Sequence, residues 1–318
     1  MSSLEDRQGK VSSTVIGCLC AAGCETLFGL SYVFTKRATG NASALVLLGW
    51  RFLIAFVVIH ICVFAGVVKV NLKGKKIREV LLVALFNPVV YFVGETIGIS
   101  RTSASESGIF LAGIPVASLA ASSLVLHKKP KRIQILGILI TLTGVVFTVF
   151  AVGTNRASFS IPGYLCLFLA VVSYALYSVF TENAESFSGE EITYVMVTTG
   201  AVAFTVFALI EALAEGTIST LVMLPFRDRN FLVAVLYQGI GCSVLAFFLS
   251  NTAIAKAGVN RTASCIGLST VVSILTGALV LKETFTILQL FGAVVIVLGV
   301  YVANASKLHR QRQVPLDF

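Results

Sequence analysis

The sequence predicts an all-α membrane protein whose ten transmembrane helices form two inverted five-helix repeats. The chain of 318 residues is 57% hydrophobic and only 12% charged, and its mean hydropathy is +0.93. The apolar residues fall into ten stretches of about 20 residues, the length with which an α-helix crosses a hydrocarbon layer about 30 Å thick. The last five stretches also resemble the first five in sequence.

The predicted spans follow one another with short connections, which leave no room for a soluble enzyme domain or a nucleotide-binding module. We place them at residues 14–35, 44–65, 79–99, 103–126, 133–152, 162–181, 191–213, 231–253, 262–281 and 286–304. The predicted organisation is a tail at 1–13, a first repeat at 14–152, a second repeat at 161–304 and a tail at 305–318.

Local signals mark the boundaries and interruptions of several spans. Ser103-x-x-Glu106 has the spacing of a capping box, so we assign Glu106 to the N-terminus of the fourth helix. Pro162 stands at the start of the sixth span, where proline is favoured. Pro88 follows Asn87 in the middle of the third span, where it should break the helix and free backbone carbonyl groups.

Lysine and arginine are distributed unevenly between the two sides of the predicted membrane. With the N-terminus in the cytoplasm, 16 of them fall on the cytoplasmic side and 7 on the outer side. The outer ones are Lys36, Arg37, Arg101, Arg156, Arg227, Arg229 and Lys282. Because cytoplasmic connections carry the excess of positive charge, both termini are predicted to be cytoplasmic. The net charge of +9 is therefore no indication of a nucleic-acid partner.

The two halves of the chain align with each other. A shift of 155 residues places residues 92–145 on 247–300 without a gap, and a shift of 146 residues places 33–35 on 179–181. Because five is an odd number, the second repeat should cross the membrane in the opposite direction. Inverted repeats of this kind are a recurring plan of secondary transporters, which work by alternating access.

Six short motifs follow one another along the chain. They are Leu27-Phe28-Gly29-Leu30-Ser31-Tyr32 before Lys36, Arg51-Phe52-Leu53, Gly113-Ile114-Pro115-Val116, Lys282-Glu283, Gln289-x-x-Gly292 and Gly299-Val300. In order and spacing they resemble the EamA branch of the drug/metabolite transporter superfamily, over residues 14–304. The chain departs from that pattern at His127-Lys128, where an acidic closing residue would stand, at Thr270, and at Glu95 and Glu106.

The resemblance implies a plasma-membrane transporter with ten helices. It also implies the export of small metabolites, such as amino acids or drug-like compounds, through a central cavity between the repeats.

Ionisable side chains inside membrane spans are costly, so each of them is a candidate functional residue. Glu25 lies about 17 Å along the first predicted helix, close to the bilayer midplane. Tyr32 lies nearly on the same helix face. Because burial disfavours the charged carboxylate, Glu25 can exchange a proton or bind a substrate amine. The alternative is a neutral carboxyl group hydrogen-bonded to a neighbouring helix.

Arg51 and Glu95 are predicted to lie at similar depths, about 5 Å apart along the membrane normal. A long arginine side chain can bridge that distance. Two interpretations follow. Either the residues neutralise each other as a structural pair, or Arg51 anchors a substrate carboxylate.

Further candidate substrate contacts lie on the third, sixth and eighth spans. Asn87, Tyr91 and Glu95 are spaced by four residues and should share one helix face. Such a polar stripe at a proline break is typical of a cavity wall, although an ordinary kink gives the same pattern. Tyr174 and Tyr177 either form an aromatic wall of the cavity or simply pack against neighbouring helices. Gln238 stands on the eighth span, the counterpart of the third.

No motif predicts catalysis, a metal or a cofactor. The chain has no GxxxxGK[ST] loop for ATP, so a coupling proton or ion, or downhill exchange, must supply any energy. It has three histidines and no GxSxG motif, and its seven cysteines lie within spans, where they should pack as small hydrophobic residues. The expected partners are a small-molecule substrate, a coupling proton or ion and the lipid bilayer. The alternative functions are a membrane-embedded enzyme and a membrane sensor without transport activity.

Overall fold

The computed structural model describes residues 2–125, 132–153, 160–283 and 287–312, and all the regular elements in these ranges are helical. They are α1 (Ser2–Ala38), α2 (Ala44–Phe64), α3 (Ile77–Ala84), π1 (Leu85–Val90), α4 (Tyr91–Arg101), α5 (Ala104–Leu111), α6 (Ile114–Val125), α7 (Arg132–Gly153), α8 (Ile161–Asn183), α9 (Gly189–Glu215), α10 (Ile218–Arg227), α11 (Arg229–Leu236), π2 (Tyr237–Ala246), α12 (Phe247–Ala257), α13 (Val259–Ser264), α14 (Ile266–Leu281) and α15 (Ile287–Arg312). The all-α prediction is confirmed.

Seven helices within the described ranges are long and apolar enough to cross a membrane. They are Ser13–Ala38, Ala44–Phe64, Ile77–Arg101, Glu106–Val125, Ile161–Asn183, Gly189–Glu215 and Arg229–Ala257. They coincide with the first four predicted spans and with the sixth to the eighth. The other three predicted spans coincide with α7, α14 and α15, whose described apolar stretches are shorter, namely Ile135–Gly144, Ile266–Leu281 and Leu290–Gly299.

One helix was not predicted. The segment Ile218–Arg227 forms α10, in a region that the sequence predicts to be a connection between spans. A helix of 10 residues is about 15 Å long and is too short to cross the hydrocarbon layer. Trp50 Nε1 of α2 donates a hydrogen bond of 2.9 Å to Leu221 O and holds α10 against the bundle.

Two spans are interrupted at equivalent places. The π-helical segments π1 and π2 overlap when the chain is shifted by 155 residues. Within π1, Asn87 has φ −141° and ψ 112°, outside the helical region, which confirms the break predicted at Pro88. Single π-helical turns within α-helices are frequent at functional sites.

The helix boundaries repeat with the register of the sequence. Ala104 and Val259 begin α5 and α13, 155 residues apart, and Tyr91 and Phe247 begin α4 and α12, 156 residues apart. The internal repeat is therefore visible in the fold as well as in the sequence.

One end of the bundle is held together around Lys36. Its Nζ atom donates hydrogen bonds of 3.2 Å to Ile99 O and Ser100 O, and another to Thr102 O. A Cβ atom on Gly163, near the start of α8, would lie 3.0 Å from Thr102 Cγ2. The end of α1, the end of α4 and the start of α8 thus lie together, at what we call the Lys36 end.

Two further contacts belong to the Lys36 end. Arg37 Nη2 donates to Val280 O of α14 at 3.1 Å, and Asn41 Nδ2 donates to Asp228 Oδ2 at 3.0 Å. The amide of Asn41 and nearby backbone N–H groups hold the pKa of Asp228 below its usual range. Segments predicted on the outer side of the membrane therefore lie at one end of the bundle.

The opposite end contains Glu182, and we call it the Glu182 end. The Glu182 Oε1 atom lies 3.9 Å from the position of a Cβ atom on Gly258, at the start of α13. Lys75 forms an ion pair of 2.5 Å with Glu191, at the start of α9. Since α1 runs towards the Lys36 end and α8 runs from it to the Glu182 end, these equivalent helices point in opposite directions.

Aromatic rings fill the centre of the bundle. Phe52 of α2 lies with its ring centroid 5.6 Å from that of Phe92, 5.0 Å from Phe204 and 6.2 Å from Phe247. These rings come from α2, α4, α9 and α12, so they join the two repeats through one core. Dispersion and burial of such large side chains stabilise this contact.

The helices α7 and α15 pack through glycines. A Cβ atom on Gly144 would lie 2.8 Å from Ile296 N and 2.9 Å from Gly292 O. A Cβ atom on Gly299 would lie 2.5 Å from Thr141 N and 2.8 Å from Gly137 O. Since small residues permit close helix approach in membranes, this crossing depends on the absence of side chains.

We expect Gly299→Ala to destabilise the protein by about 1–3 kcal/mol, because the added methyl group meets backbone atoms that cannot move aside. Gly267→Ala is the matched control, since no atom lies within 4 Å of its Cβ position. The free energy of unfolding in a detergent titration measures both. Equal stability of the two variants would contradict the packing described for α7 and α15.

Candidate functional site

The nine predicted site residues are all buried in the bundle, each at most 5% exposed. They are Glu25, Tyr32, Arg51, Asn87, Tyr91, Glu95, Tyr174, Tyr177 and Gln238. Eight of them are linked to one another by hydrogen bonds, ring contacts or electrostatic interactions. Asn87 lies at the helix break, four residues before Tyr91.

Arg51 is held by the second repeat. Its Nε atom donates a hydrogen bond of 2.8 Å to Ser243 Oγ, and its Nη1 atom makes a long contact of 3.5 Å with Gln238 Oε1. The guanidinium carbon lies 4.0 Å from the centroid of the Phe92 ring, a cation–π geometry. The buried Nη2 atom has no hydrogen-bond partner among the described residues, so it keeps a donor available for a ligand.

The predicted structural pair of Arg51 and Glu95 is wrong as a direct contact. In the part of the chain that the structure describes, the two side chains form no hydrogen bond or ion pair and interact only at longer range. Glu95 instead accepts a hydrogen bond of 2.7 Å from Tyr91 Oη, one turn earlier on α4. The guanidinium of Arg51 instead contacts the Phe92 ring and the hydroxyl group of Ser243. The spacing of charged residues in the sequence could not predict these contacts.

Glu25 and Tyr32 of α1 share one neighbour. Both interact with the hydroxyl group of Ser269 on α14. The Ser269 Oγ atom also lies 2.7 Å from Ile266 O, to which it donates. The hydroxyl proton of Ser269 is therefore engaged with a backbone carbonyl group, which leaves its oxygen as an acceptor near Glu25 and Tyr32.

Asn87 lies at the break between α3 and α4. Its Oδ1 atom is buried and has no hydrogen-bond partner among the described residues. The residue leaves the helical conformation, so the predicted common face holds for Tyr91 and Glu95 but not for Asn87. An unpaired buried acceptor in a membrane interior is costly, and a ligand donor would relieve that cost.

The tyrosines of α8 line the same region. The Tyr174 ring lies 5.6 Å from that of Tyr91 and 5.3 Å from that of Tyr177, both edge to face. Tyr177 Oη donates to Asn251 Oδ1 at 2.6 Å and is fully engaged. The buried Tyr174 Oη atom has no partner within the described ranges, so Tyr174 is the better candidate for a ligand contact.

Several polar side chains that complete the site were not predicted, among them Thr35, Thr193 and Asn251. Gln238 Nε2 donates to Thr35 Oγ1 at 2.9 Å, and Asn251 Nδ2 donates to Thr193 Oγ1 at 2.9 Å. The repeat register offered a signal for part of this set, because Asn251 aligns with Thr96, directly after Glu95.

Three residues outside the site have structural roles, and the capping box among them was predicted. Ser103 and Glu106 form the predicted capping box at the start of α5. His60 packs on the Phe56 ring and lies 3.2 Å from Tyr194 Oη. In the described residues there is no group of three or more His, Cys, Asp or Glu side chains that could hold a metal ion.

We expect Ser243→Ala to lower the free energy of unfolding by about 1–3 kcal/mol, because it leaves the Arg51 Nε donor buried and unpaired. Ser186→Ala removes an exposed hydroxyl group and serves as the control. Gln238→Leu should be less than additive with Ser243→Ala, since both act on the same guanidinium. Full additivity in detergent unfolding would mean that the two residues do not share Arg51.

Comparisons with known proteins agree with this architecture. An uncharacterised transporter of Bacillus subtilis, YcxC, is 32% identical over 281 residues, which cover 88% of this chain and 90% of that protein. A "probable amino-acid metabolite efflux pump" of Salmonella typhimurium is 25% identical over 283 residues, which cover 87% and 90%.

A solved crystal structure superposes on the chain with a TM-score of 0.63 and 18% identity, covering 95% of this chain and 99% of that one, which shows a common fold. The family model of the EamA-like transporters matches twice, at residues 15–150 and 161–305. The chain is therefore a multi-pass membrane protein that belongs to the EamA-like transporter family.

Proposed function

We propose that the protein is a secondary transporter that exports small metabolites, such as amino acids or drug-like compounds, by alternating access between two inverted repeats. The observation that carries this proposal is the set of buried, unpaired polar atoms between the repeats, Arg51 Nη2, Asn87 Oδ1 and Tyr174 Oη. Such atoms are costly inside a membrane unless a ligand pairs with them. The printed name of the Salmonella relative supports an amino-acid-like substrate.

The roles of the site residues follow from their chemistry. Arg51 presents a guanidinium nitrogen to a substrate carboxylate, and Asn87 accepts from a substrate donor. Tyr91, Tyr174 and Tyr177 form an aromatic wall against the organic part of the substrate. Glu25 exchanges the coupling proton or binds a cationic group of the substrate.

The proposed topology has ten transmembrane helices. The helices α7, α14 and α15 complete the seven long spans, and the repeats occupy residues 14–152 and 161–304. The opposite directions of α1 and α8 support the inversion. The lysine and arginine bias supports a plasma-membrane orientation with the Glu182 end and both tails, 1–13 and 305–318, in the cytoplasm.

Single-cysteine labelling in intact cells tests this orientation. A cysteine at the exposed position Lys73 of the Glu182 end should react with a membrane-impermeant maleimide only after the cells are opened. A cysteine at the exposed position Arg227 of the Lys36 end should react in intact cells. The reverse pattern would invert the proposed orientation. The loop at 154–159, a natural third probe, lies outside the described residues.

The transport role of Glu25 is tested by Glu25→Gln, which keeps the size of the side chain but cannot ionise. We expect it to fold with an unchanged melting temperature and to lose the pH dependence of substrate flux in reconstituted vesicles. Glu25→Asp should retain part of the activity. Glu215→Gln, at an exposed carboxylate, is the matched control. A Gln variant with the wild-type rate and pH profile would reduce Glu25 to a hydrogen-bonding residue.

A further inference from the structure

The amide of Gln238 connects the guanidinium of Arg51 to α1. Gln238 lies on π2, in the second repeat, and is 0% exposed. Its Nε2 atom donates a hydrogen bond of 2.9 Å to Thr35 Oγ1, and its Oε1 atom lies 3.5 Å from Arg51 Nη1. One neutral side chain of the second repeat therefore contacts both a hydroxyl group and a cation of the first repeat.

The hydroxyl group of Thr35 fixes the orientation of this amide. Because an arginine carries only donors, the amide oxygen of Gln238 has to face Arg51 and the amide nitrogen has to face away. Thr35 is buried and accepts the hydrogen bond from that nitrogen. Without this acceptor, the amide could turn its nitrogen towards the cation. Thr35 is thus a positioning residue for Gln238.

The groups that contact the guanidinium of Arg51 in the described ranges are neutral. Besides the amide, they include the hydroxyl group of Ser243 and the ring of Phe92. Glu95 interacts with Arg51 only at longer range and accepts a hydrogen bond from Tyr91. Arg51 Nη2 is buried and has no hydrogen-bond partner in the described part of the chain. A charged donor of this kind in an apolar core favours an anionic ligand group.

A glutamate in place of Gln238 would fill the same space and would remove this preference. The two side chains have the same shape, and the hydroxyl group of Thr35 can donate to a carboxylate as well as accept from an amide. The carboxylate would form charge-assisted hydrogen bonds with Arg51 and would neutralise it within the protein. The choice of glutamine therefore concerns charge and not shape.

We propose that Gln238, positioned by Thr35, makes the site selective for substrates that carry a carboxylate group. This inference rests on the transport function proposed above, to which it adds the charge of the substrate. The amide holds Arg51 through a long contact and leaves its charge to the ligand. A carboxylate accepts from the guanidinium and neutralises it, whereas the neutral amide of the same acid has the same shape but no charge for the cation.

Matched pairs of carboxylates and amides test this selectivity on the full chain in detergent. Acetate, benzoate and phenylacetate, as sodium salts with sodium chloride as the reference, are each compared with the primary amide of the same acid. We expect at least one carboxylate to raise the melting temperature of the wild type by about 3 °C, and its amide to leave it unchanged.

Variants then assign the selectivity to its residues. Gln238→Glu should weaken the binding of that carboxylate at least about tenfold, because Arg51 already has a counter-ion. Thr35→Val should weaken it about threefold, since the amide loses the acceptor that orients it. Thr35→Ser keeps the acceptor and should bind the carboxylate as the wild type does.

A second measurement needs no ligand. Gln238→Glu should raise the melting temperature by about 4 °C or more, because the buried cation gains a partner. In an Arg51→Gln background the same change should lower the melting temperature, because the new carboxylate is then buried and unpaired. Asn183→Asp makes the equivalent change at an exposed amide and is the matched control, which should alter neither stability nor carboxylate binding.

A Gln238→Glu protein that is less stable than the wild type, or that binds the carboxylate with wild-type affinity, would overturn the inference. A wild type that binds none of the carboxylates more tightly than its amide would overturn it too. If the wild type shows the preference in binding but carries no carboxylate across reconstituted vesicles, the proposed transport fails and the selectivity of the site stands. Flux of a carboxylate and its amide at equal rates would keep the transport and overturn the selectivity.

Discussion

The guanidinium of Arg51 is a charge that the membrane interior cannot solvate, and the surrounding helices are arranged to receive it. Burying such a group without a partner costs several kcal/mol of stability. The residues around it therefore have to lie where they can contact it. π2 supplies Ser243 and Gln238, α4 supplies the face of Phe92, and α1 reaches the cluster through Thr35. One side chain of the first repeat thus fixes the position of the second repeat against it.

The same constraint explains why the site is incomplete. The arginine is held by a serine, an amide and an aromatic ring, and among the described residues no carboxylate serves as its direct counter-ion. Glu95 accepts a hydrogen bond from Tyr91, and Glu25 lies near Ser269, whose hydroxyl group donates to a backbone carbonyl group. The protein therefore keeps a cation and two carboxyl groups separate in one apolar core, and in the function proposed above a substrate or a proton would balance them.

Sequence patterns predicted the elements that depend on local chemistry. The length of the apolar stretches located the seven long spans, Pro88 located the break in the third, and Ser103-x-x-Glu106 located a helix start. The partners of buried charges depend instead on which helices meet. Arg51 and Glu95 have matching depths and opposite charges, yet Phe92 and Ser243 decide the contact, and no pattern within one helix shows that. The short helix α10 escaped prediction because its 10 residues include Pro225 and lack the length that marks a span.

The glycine contact between α7 and α15 joins the last helix of one repeat to the last helix of the other. Gly144 and Gly299 occupy equivalent positions, and each lies against backbone atoms of the opposite helix. Sliding along this contact would drive side chains into backbone, whereas rotation about the crossing point leaves it intact. In the alternating access proposed above, this contact is therefore the expected pivot about which the two halves tilt against each other.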